Sequence, residues 1–208
     1  MPYGTPVRNT HRMTAAPAPI LPPAPVQALI VVDVQTAFVT GTAAVPGAAR
    51  LLPRVEDLVT RARTAGSLVV HLQNDGPPGA DDEPDTPGWE LYLPVAESPR
   101  ETALRKTEDD GFAGTPLGGL LDAAGVRDLA VCGVMSEMCV SATARTALAR
   151  GHRVVVPHDA HATQNIPAAP GISGPVPAAM VSRVAEWALG DGAEIAAHAA
   201  DVAFAPPG

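Results

Sequence analysis

The sequence predicts an α/β fold, a three-layer doubly wound sandwich around a six-stranded, mostly parallel sheet. Strand-like and helix-like segments alternate along the chain, which favours parallel strands joined by right-handed crossovers. Residues 28–34 are almost continuously apolar and β-branched, a pattern typical of a strand that is buried on both faces. Residues 48–65 repeat apolar side chains at helical spacing, and Gly66 follows them as a stop signal.

The remaining elements continue this alternation. Strands are predicted at 67–72, 103–105, 128–133, 153–157 and 193–197, and helices at 136–150 and 177–190, with another helix that Thr115 caps and Pro116 begins. Residues 73–99 break the pattern with two Pro-Gly signals and an acidic cluster at 81–85. We expect a loop there, and loops of this length in compact domains are usually functional or disordered.

Length and composition indicate one folded domain with an N-terminal extension. The chain has 208 residues, which suits a single domain with a sizeable core. Residues 1–25 contain seven prolines and little apolar periodicity, so we expect a disordered, Pro/Ala-rich arm that buries too little apolar surface to fold. Residues 26–208 are expected to form the domain.

Charge and hydropathy argue against several classes of partner. A formal net charge of −8 opposes binding to nucleic acid, whose phosphates call for a basic face. No stretch approaches the roughly 20 apolar residues that span a bilayer, and the N-terminus lacks the pattern of a secretory signal. We expect no membrane partner, a cytoplasmic location, and a neutral or cationic small molecule as ligand.

The chain has two cysteines, Cys132 and Cys139, which lie seven residues apart on either side of a turn signal. This spacing fits neither a disulfide framework nor a zinc site, so at least one thiol is free to act as a nucleophile. A redox switch that joins the two thiols stays an alternative. It requires their Cα atoms to lie within about 7 Å of each other.

Three reactive side chains are predicted at the carboxyl ends of parallel strands, where open sheets bind their ligands. Asp33 ends the first strand, Lys106 follows the third, and Cys139 lies in the first turn of the helix after the fourth. A thiol with an ordinary pKa of about 8.5 is a poor nucleophile at neutral pH. Asp33 can accept its proton, Lys106 can keep Asp33 ionised, and the helix dipole is expected to favour the thiolate.

The segments around these three residues match a known family. The runs ALIVVDVQTAF at 28–38, RK at 105–106 and GVMSEMCV at 133–140 resemble the three signature segments of isochorismatase-like cysteine hydrolases. The resemblance extends from about Val26 to the last strand. It implies a six-stranded parallel sheet between helices and a hydrolase that acts on small molecules.

The resemblance also implies a set of catalytic residues. Asp33, Lys106 and Cys139 correspond to the family's catalytic triad, which cleaves amides through a thioester. A cis peptide bond is implied before Met135, and the N–H groups of Met135 and Cys139 correspond to an oxyanion hole. Isochorismatases proper cleave a vinyl ether without a cysteine nucleophile, so Cys139 places the chain in the amidase branch.

The substrate is less determined than the chemistry. The family includes nicotinamidases, N-carbamoyl-amine and ureido-acid amidohydrolases, and streptothricin hydrolases. Phe38 corresponds to the family's pocket aromatic, Val134 is a further candidate for contact with substrate, and Trp89 either lines the pocket or anchors the long loop. The acidic cluster at 81–85 is either a solvated loop or a surface that steers a cationic substrate. A streptothricin-type lactam is therefore one candidate substrate.

We expect no metal and no other cofactor. Nicotinamidases of the family bind a divalent metal through an Asp and two His residues near the second strand. The corresponding stretch here contains His71, and no further histidine occurs before His152. His158 and His161 flank Asp159 after the fifth strand, and we favour hydrogen bonding within that turn over a metal cluster.

Two alternatives belong to other classes of protein. An inactive binding or scaffold relative has no need of Asp33, Lys106 and Cys139 together, which disfavours it. A flavodoxin-like nucleotide binder needs a Gly-rich phosphate loop after the first strand, and the sequence has none there. Since members of the family commonly self-associate, the resemblance implies a homodimer or homotetramer.

Overall fold

A seven-stranded parallel sheet forms the centre of the fold in a computed structural model that describes residues 24–208. The strands are β1 (Ala28–Val32), β2 (Leu68–Asn74), β3 (Glu101–Lys106), β4 (Asp128–Val134), β5 (Arg153–Pro157), β6 (His161–Ala162) and β7 (Ala193–Ala196). The helices are α1 (Thr36–Val39), α2 (Ala48–Ala65), α3 (Leu117–Ala123), α4 (Ser141–Ala149) and α5 (Ala178–Ala188). In this described part of the chain, no helix combines the length and apolar character needed to cross a bilayer. The predicted arm, 1–25, lies outside the described residues except for Ala24 and Pro25.

The strands follow the order β3-β2-β1-β4-β5-β7, and the neighbours in this order are parallel. This confirms the predicted doubly wound α/β fold, with six strands on the main path. The seventh strand, β6, has two residues: after β5 the chain passes through a 3₁₀ turn and pairs with β4 again at Gly133 and Val134. A strand of two residues is too short to show a periodic pattern, so it was not predicted from the sequence.

The carboxyl ends of β1 and β4 lie side by side in the sheet. The chain runs from β1 to β2 on one side, whereas β4 lies on the other side and leads to β5. Such a reversal of strand order leaves a crevice beyond the strand ends, where ligands bind in open α/β sheets. Asp33 follows β1 directly, and the turn that carries Cys139 comes just after β4.

Burial on both faces explains the uninterrupted apolar run of β1. Leu29 and Val31 pack with residues of α2, whereas Ile30 and Val32 pack with residues of α3 and α4. All four side chains are at most 1% exposed, and each buried aliphatic side chain of this size contributes roughly 1.5–3 kcal/mol. The two apolar layers therefore fix β1, and with it the position of Asp33.

Two elements differ from their predicted extents. The helix predicted at 136–150 begins as a π-type turn, Ser136–Val140, which we call the Cys139 turn, and it continues as α4 only from Ser141. The break lies at Met138, whose φ of −104° and ψ of −106° are not helical. The third strand is longer than predicted because β3 lies at the sheet edge, where exposed positions interrupt the apolar run.

The long loop between β2 and β3 is bound to the end of β1. The side-chain amide of Gln35, two residues after Asp33, donates to the carbonyls of Asn74 and Trp89 at 2.9 and 3.0 Å. Gln73 donates to the same Trp89 carbonyl at 3.0 Å. These bonds make the loop a structured wall beside the strand ends.

A substitution at Gly133 tests the packing of β1 against β4. Gly133 has a φ of +115°, and a Cβ there would overlap the backbone carbonyl of Val32. Because central strands cannot move aside, Gly133→Ala should lower the free energy of unfolding by on the order of 3 kcal/mol. Urea unfolding measures this loss.

The control for this measurement is Gly119→Ala in α3. Nothing lies within 4 Å of a Cβ built at Gly119, and alanine is the better helix former by about 0.5–1 kcal/mol. This variant should therefore be more stable than the parent protein. Two variants of equal stability would contradict the described contact between β1 and β4.

Candidate active site

Asp33 occupies the first position after β1 with a left-handed backbone, at a φ of +48°. Its N–H donates to the Leu72 carbonyl at 3.0 Å, and its carbonyl accepts the N–H of Gln35 at 2.8 Å. Aspartate tolerates this conformation better than most residues. The turn ends the strand and leaves Asp33 only 2% exposed.

Lys106 is the last residue of β3, and its ammonium group joins the three predicted residues. Nζ lies 2.8 Å from Asp33 Oδ2 and 3.4 Å from Cys139 Sγ. It also donates to Asn74 Oδ1 at 3.3 Å and to the Glu108 carbonyl at 3.2 Å. Asp33, Lys106 and Cys139 thus come together at the strand ends, from three separate segments of the chain.

Cys139 lies in the Cys139 turn and is 9% exposed. Besides its contact with Lys106, its thiol donates to Asp109 Oδ1 at 3.6 Å. Asp33 Oδ1 has no hydrogen-bond partner among residues 24–208. The Asp33 carboxylate therefore has one oxygen bound by Lys106 and one buried oxygen that is free to take a proton.

Burial dominates the electrostatics of this pair. It raises the pKa of Asp33 to about 6, although the Lys106 ammonium acts to lower it. Burial also raises the pKa of the Cys139 thiol, and the charge of Asp33 adds to this effect while Lys106 opposes it. The resting thiol is therefore protonated at neutral pH. Cys139 lies in a π-type turn two residues before the start of α4, so the contribution of a helix end to the thiolate stays a prediction.

Val134, Phe38 and the backbone N–H of Met135 were predicted to contact the substrate. The peptide bond between Val134 and Met135 is cis. Val134 is fully buried in the apolar core, which leaves its side chain no surface for a substrate. The prediction of Val134 as a pocket side chain is corrected accordingly. Phe38, on α1, is half-buried and packs against the same core.

Trp89 anchors the long loop. Its indole N–H donates to Asp75 Oδ1 at 2.8 Å, and the Arg105 guanidinium lies 4.9 Å from the ring centroid. Arg105 is itself paired with Asp75 at 2.8 Å. Of the two predicted roles of Trp89, these contacts favour the structural one.

Three polar residues near the site were not found from the sequence. Asn74 ends β2, pairs with Lys106 in the β2–β3 register and accepts its ammonium proton. Asp82, from the acidic cluster, is 6% exposed and accepts the Asn74 side-chain N–H at 2.7 Å. Asp109 contacts Cys139. Asn74 carried a usable signal because it ends a strand, whereas Asp82 and Asp109 lie in loops whose paths no sequence pattern fixes.

His71 is a buried residue of β2. Its Nε2 lies 3.0 Å from Glu101 Oε1, and Glu101 also pairs with Arg63 at 2.6 Å. Burial lowers the pKa of His71, although Glu101 acts to raise it. The ring is therefore engaged in a link between β2, β3 and α2.

His158, His161 and Glu186 bring three possible metal-ligand atoms within 4.8 Å of one another. Glu186 Oε1 lies 2.5 Å from His158 Nδ1 and 3.0 Å from His161 Nε2. Its other oxygen faces Arg183 at 3.4 Å, and Ser136 bonds the second ring nitrogen of His161 at 2.8 Å. His158, His161 and Glu186 all have hydrogen-bond partners within the cluster, and we interpret it as a link between α5 and the Cys139 turn. The histidines bond to Glu186 of α5, whereas bonds within their own turn had been predicted.

A cavity of about 560 Å³ borders the Cys139 turn. Its lining is largely apolar and comes from that turn, α4, α5, two residues of the loop before α5, and Asp109 from the segment after β3. Asp109 and Glu137 are its acidic side chains, and Arg145 is basic. Asp109, which contacts the Cys139 thiol, therefore also faces a space large enough for a small molecule.

A comparison with known families defines the class of protein. An isochorismatase domain model matches residues 27–168, which is more than half of the chain. The chain therefore belongs to the isochorismatase family, and it is a hydrolase.

Two similar proteins are described with a more specific activity. Two proteins from Streptomyces noursei, both described as streptothricin hydrolase, are 69% identical over 201 residues and 72% identical over 182 residues. These matches cover 96% and 88% of this chain, and 80% and 66% of the relatives' own lengths.

Solved structures share the fold. An isochorismatase from Pseudomonas putida KT2440 has a TM-score of 0.78 at 28% identity, covering 88% of this chain and 93% of its own. The N-carbamoylsarcosine amidase from Thermoplasma acidophilum has a TM-score of 0.64 at 26% identity, covering 81% and 94%. The fold of this chain thus occurs in an enzyme described as an amidase.

The reactivity of the Cys139 thiol tests the electrostatics of the site. Asp33→Asn removes a charge that raises the thiol pKa and leaves Lys106, which lowers it. We therefore expect the variant to be alkylated by iodoacetamide at least about threefold faster at neutral pH, because more thiolate is present. Intact-mass spectrometry measures the rate.

Lys106→Met is the matched opposite change and should slow the same reaction. Cys132 is fully buried in β4, so a single alkylation reports on Cys139. Slower alkylation of Asp33→Asn would mean that the resting proton lies on Asp33, in contradiction to the protonated thiol derived above.

Proposed function

We propose that this chain hydrolyses an amide bond of a streptothricin-type antibiotic through a thioester on Cys139. One ammonium group, Lys106 Nζ, contacts both Asp33 and Cys139, and this contact is the main support for the proposal. A buried thiol, a carboxylate with a raised pKa and a fixed cation form a nucleophile, a base and a positioning charge.

The first half of the reaction forms the thioester. Asp33 Oδ1 takes the thiol proton of Cys139, and Sγ attacks the amide carbonyl carbon to form a C–S bond. The tetrahedral oxyanion is held by the backbone N–H groups of Met135 and Cys139, a contribution of about 3–4 kcal/mol in comparable sites. Collapse breaks the C–N bond, and the proton on Asp33 passes to the leaving nitrogen.

The second half releases the acid. Asp33, ionised again, takes a proton from a water molecule that attacks the thioester carbon. The C–S bond breaks, and the sulfur recovers a proton from Asp33. Lys106 stays protonated throughout and holds the carboxylate beside the reacting sulfur.

The proposed substrate rests on similarity and charge. Both Streptomyces noursei relatives are described as streptothricin hydrolase, and the net charge of −8 suits a polycationic substrate. Opening of a cyclic amide in the antibiotic makes the chain a resistance or self-protection factor. Nicotinamide, N-carbamoyl amines and ureido acids are the alternative substrates. The cytoplasmic location and a homodimer or homotetramer stay predictions.

Paired cysteine variants test the covalent route. Cys139→Ala should lower turnover of streptothricin by at least about a thousandfold, because no other group replaces the nucleophile. Cys132→Ala, which alters the other free thiol inside β4, should keep most of the activity. Chromatography with mass spectrometry detects a product heavier than the substrate by one water.

The outcomes of this test separate the alternatives. Retained turnover in Cys139→Ala contradicts the thioester. Lack of turnover by the parent chain on streptothricin and on all three alternative substrate classes favours an inactive scaffold relative.

The pH profile tests the role of Asp33. A base must be ionised in the free enzyme, and burial raises the pKa of Asp33 to about 6. We therefore expect kcat/KM to rise with pH, to reach half of its maximum at a pH of about 6, and to level off above that pH. Steady-state rates measured from about pH 4 to about pH 8, in steps of about one pH unit or less, show this acid limb of the pH profile. A midpoint of this limb at the ordinary carboxylate pKa of about 4 would exclude Asp33 as the base.

A further inference from the structure

Asp82 is a buried carboxylate that the reaction proposed above does not use. It belongs to the acidic cluster of the loop between β2 and β3, yet it is 6% exposed, whereas Asp81 and Asp85 of the same cluster are exposed. Burial of an ionised carboxylate is costly unless hydrogen bonds compensate it. Its surroundings therefore indicate why it is buried.

The side chain of Asn74 connects Asp82 to the site. Asp82 Oδ2 accepts a hydrogen bond from Asn74 Nδ2 at 2.7 Å, and Asn74 Oδ1 accepts one from Lys106 Nζ at 3.3 Å. An amide has one donor end and one acceptor end. A carboxylate on the donor end thus turns the acceptor end toward the ammonium group.

The backbone on either side of this contact is also fixed. The Asn74 N–H donates to Gln35 Oε1, and Gln35 Nε2 donates back to the Asn74 carbonyl, both at 2.9 Å. The Gly76 N–H donates to the Asp82 carbonyl at 3.0 Å, and a Cβ at Gly76 would overlap the Asp82 carboxylate. The loop therefore packs its only deeply buried acidic residue of the 81–85 cluster against the end of β2.

We propose that Asp82 is a positioning residue, which orients Asn74 so that Lys106 is held between Asp33 and Cys139. Lys106 has three N–H donors and faces Asp33, Cys139, Asn74 and the Glu108 carbonyl. Asn74 selects which of these arrangements the ammonium adopts. This inference rests on the proposed function and adds a loop residue to its machinery.

The charge of Asp82 has a second effect. Burial is the main cause of the raised pKa of Asp33, and the negative charge of Asp82 raises that pKa further. Asp82 thus acts on the pair in two ways, by orienting Asn74 and by its charge. The two effects are separable by substitution.

Three variants of the full chain separate them, with streptothricin as substrate. Asp82→Ala removes the acceptor, and we expect kcat to fall at least about tenfold with KM within about twofold. Asp82→Asn keeps an oxygen that accepts from Asn74, so kcat should stay within about threefold of the parent while the acid limb of the pH profile moves to lower pH. Asp81→Asn removes a charge from the same cluster at an exposed position and should change neither kcat nor the limb.

A double-mutant cycle with Asn74→Ala tests the path of the effect. Because Asp82 acts through Asn74, the losses in kcat of Asp82→Ala and Asn74→Ala should not add in the double variant. Additive losses would overturn the proposal. It would also be overturned if Asp82→Ala behaved as Asp81→Asn does. If Asp82→Ala fails to fold, Asn74→Ala decides the question: kcat should fall at least about tenfold with KM within about twofold, and an unchanged kcat would overturn the proposal.

A readout that needs no substrate separates this proposal from the proposed function. Loss of the ordered Lys106 should slow alkylation of Cys139 by iodoacetamide in Asp82→Ala and leave it unchanged in Asp81→Asn. If the parent chain does not hydrolyse streptothricin but this difference is found, the positioning role stands and the substrate is wrong. Equal alkylation rates in the two variants overturn the positioning role whatever the substrate.

Discussion

The buried ion pair between Asp33 and Lys106 is the interaction on which the site depends. Nζ lies 2.8 Å from Oδ2, and the two side chains are 3% and 0% exposed. Removal of two charges from water costs several kcal/mol per ion, and only good geometry and further hydrogen bonds offset it. Asn74 and the Glu108 carbonyl supply those bonds to the ammonium. Loss of either partner would leave an uncompensated buried charge, at a cost of about 3–5 kcal/mol.

The parallel sheet brings this pair to the thiol. β1, β2 and β3 are neighbours in register, so Asp33, which follows β1, lies near Asn74 and Lys106 at the ends of the next two strands. β4 lies on the other side of β1 and delivers the Cys139 turn to the same edge. Burial then sets the chemistry. It keeps the thiol protonated and raises the pKa of Asp33 to about 6, which makes the carboxylate a stronger base than one in water.

The sequence was sufficient for the fold and for the placement of Asp33, Lys106 and Cys139 together at the strand ends, because each of those predictions depends on local periodicity and on the rule that ligands bind at strand ends. It failed where a tertiary contact decides. Val134 was predicted to contact the substrate because it precedes the Cys139 turn in the sequence, but its side chain is buried in the core. Asp82 has the sequence of a solvated loop residue, but the path of the loop buries it against Asn74. The π-type geometry of the Cys139 turn has no periodic signal at all.

Rapid-quench mass spectrometry with streptothricin detects the proposed thioester between Cys139 and the carbonyl carbon of a cyclic amide. Ring opening keeps both halves of the substrate attached, so we expect a transient adduct with the full mass of the antibiotic on the peptide that contains Cys139. An adduct that lacks part of the antibiotic would show cleavage of a linear amide. Turnover with no adduct at any quench time, together with full activity of Cys139→Ala, would contradict the covalent mechanism.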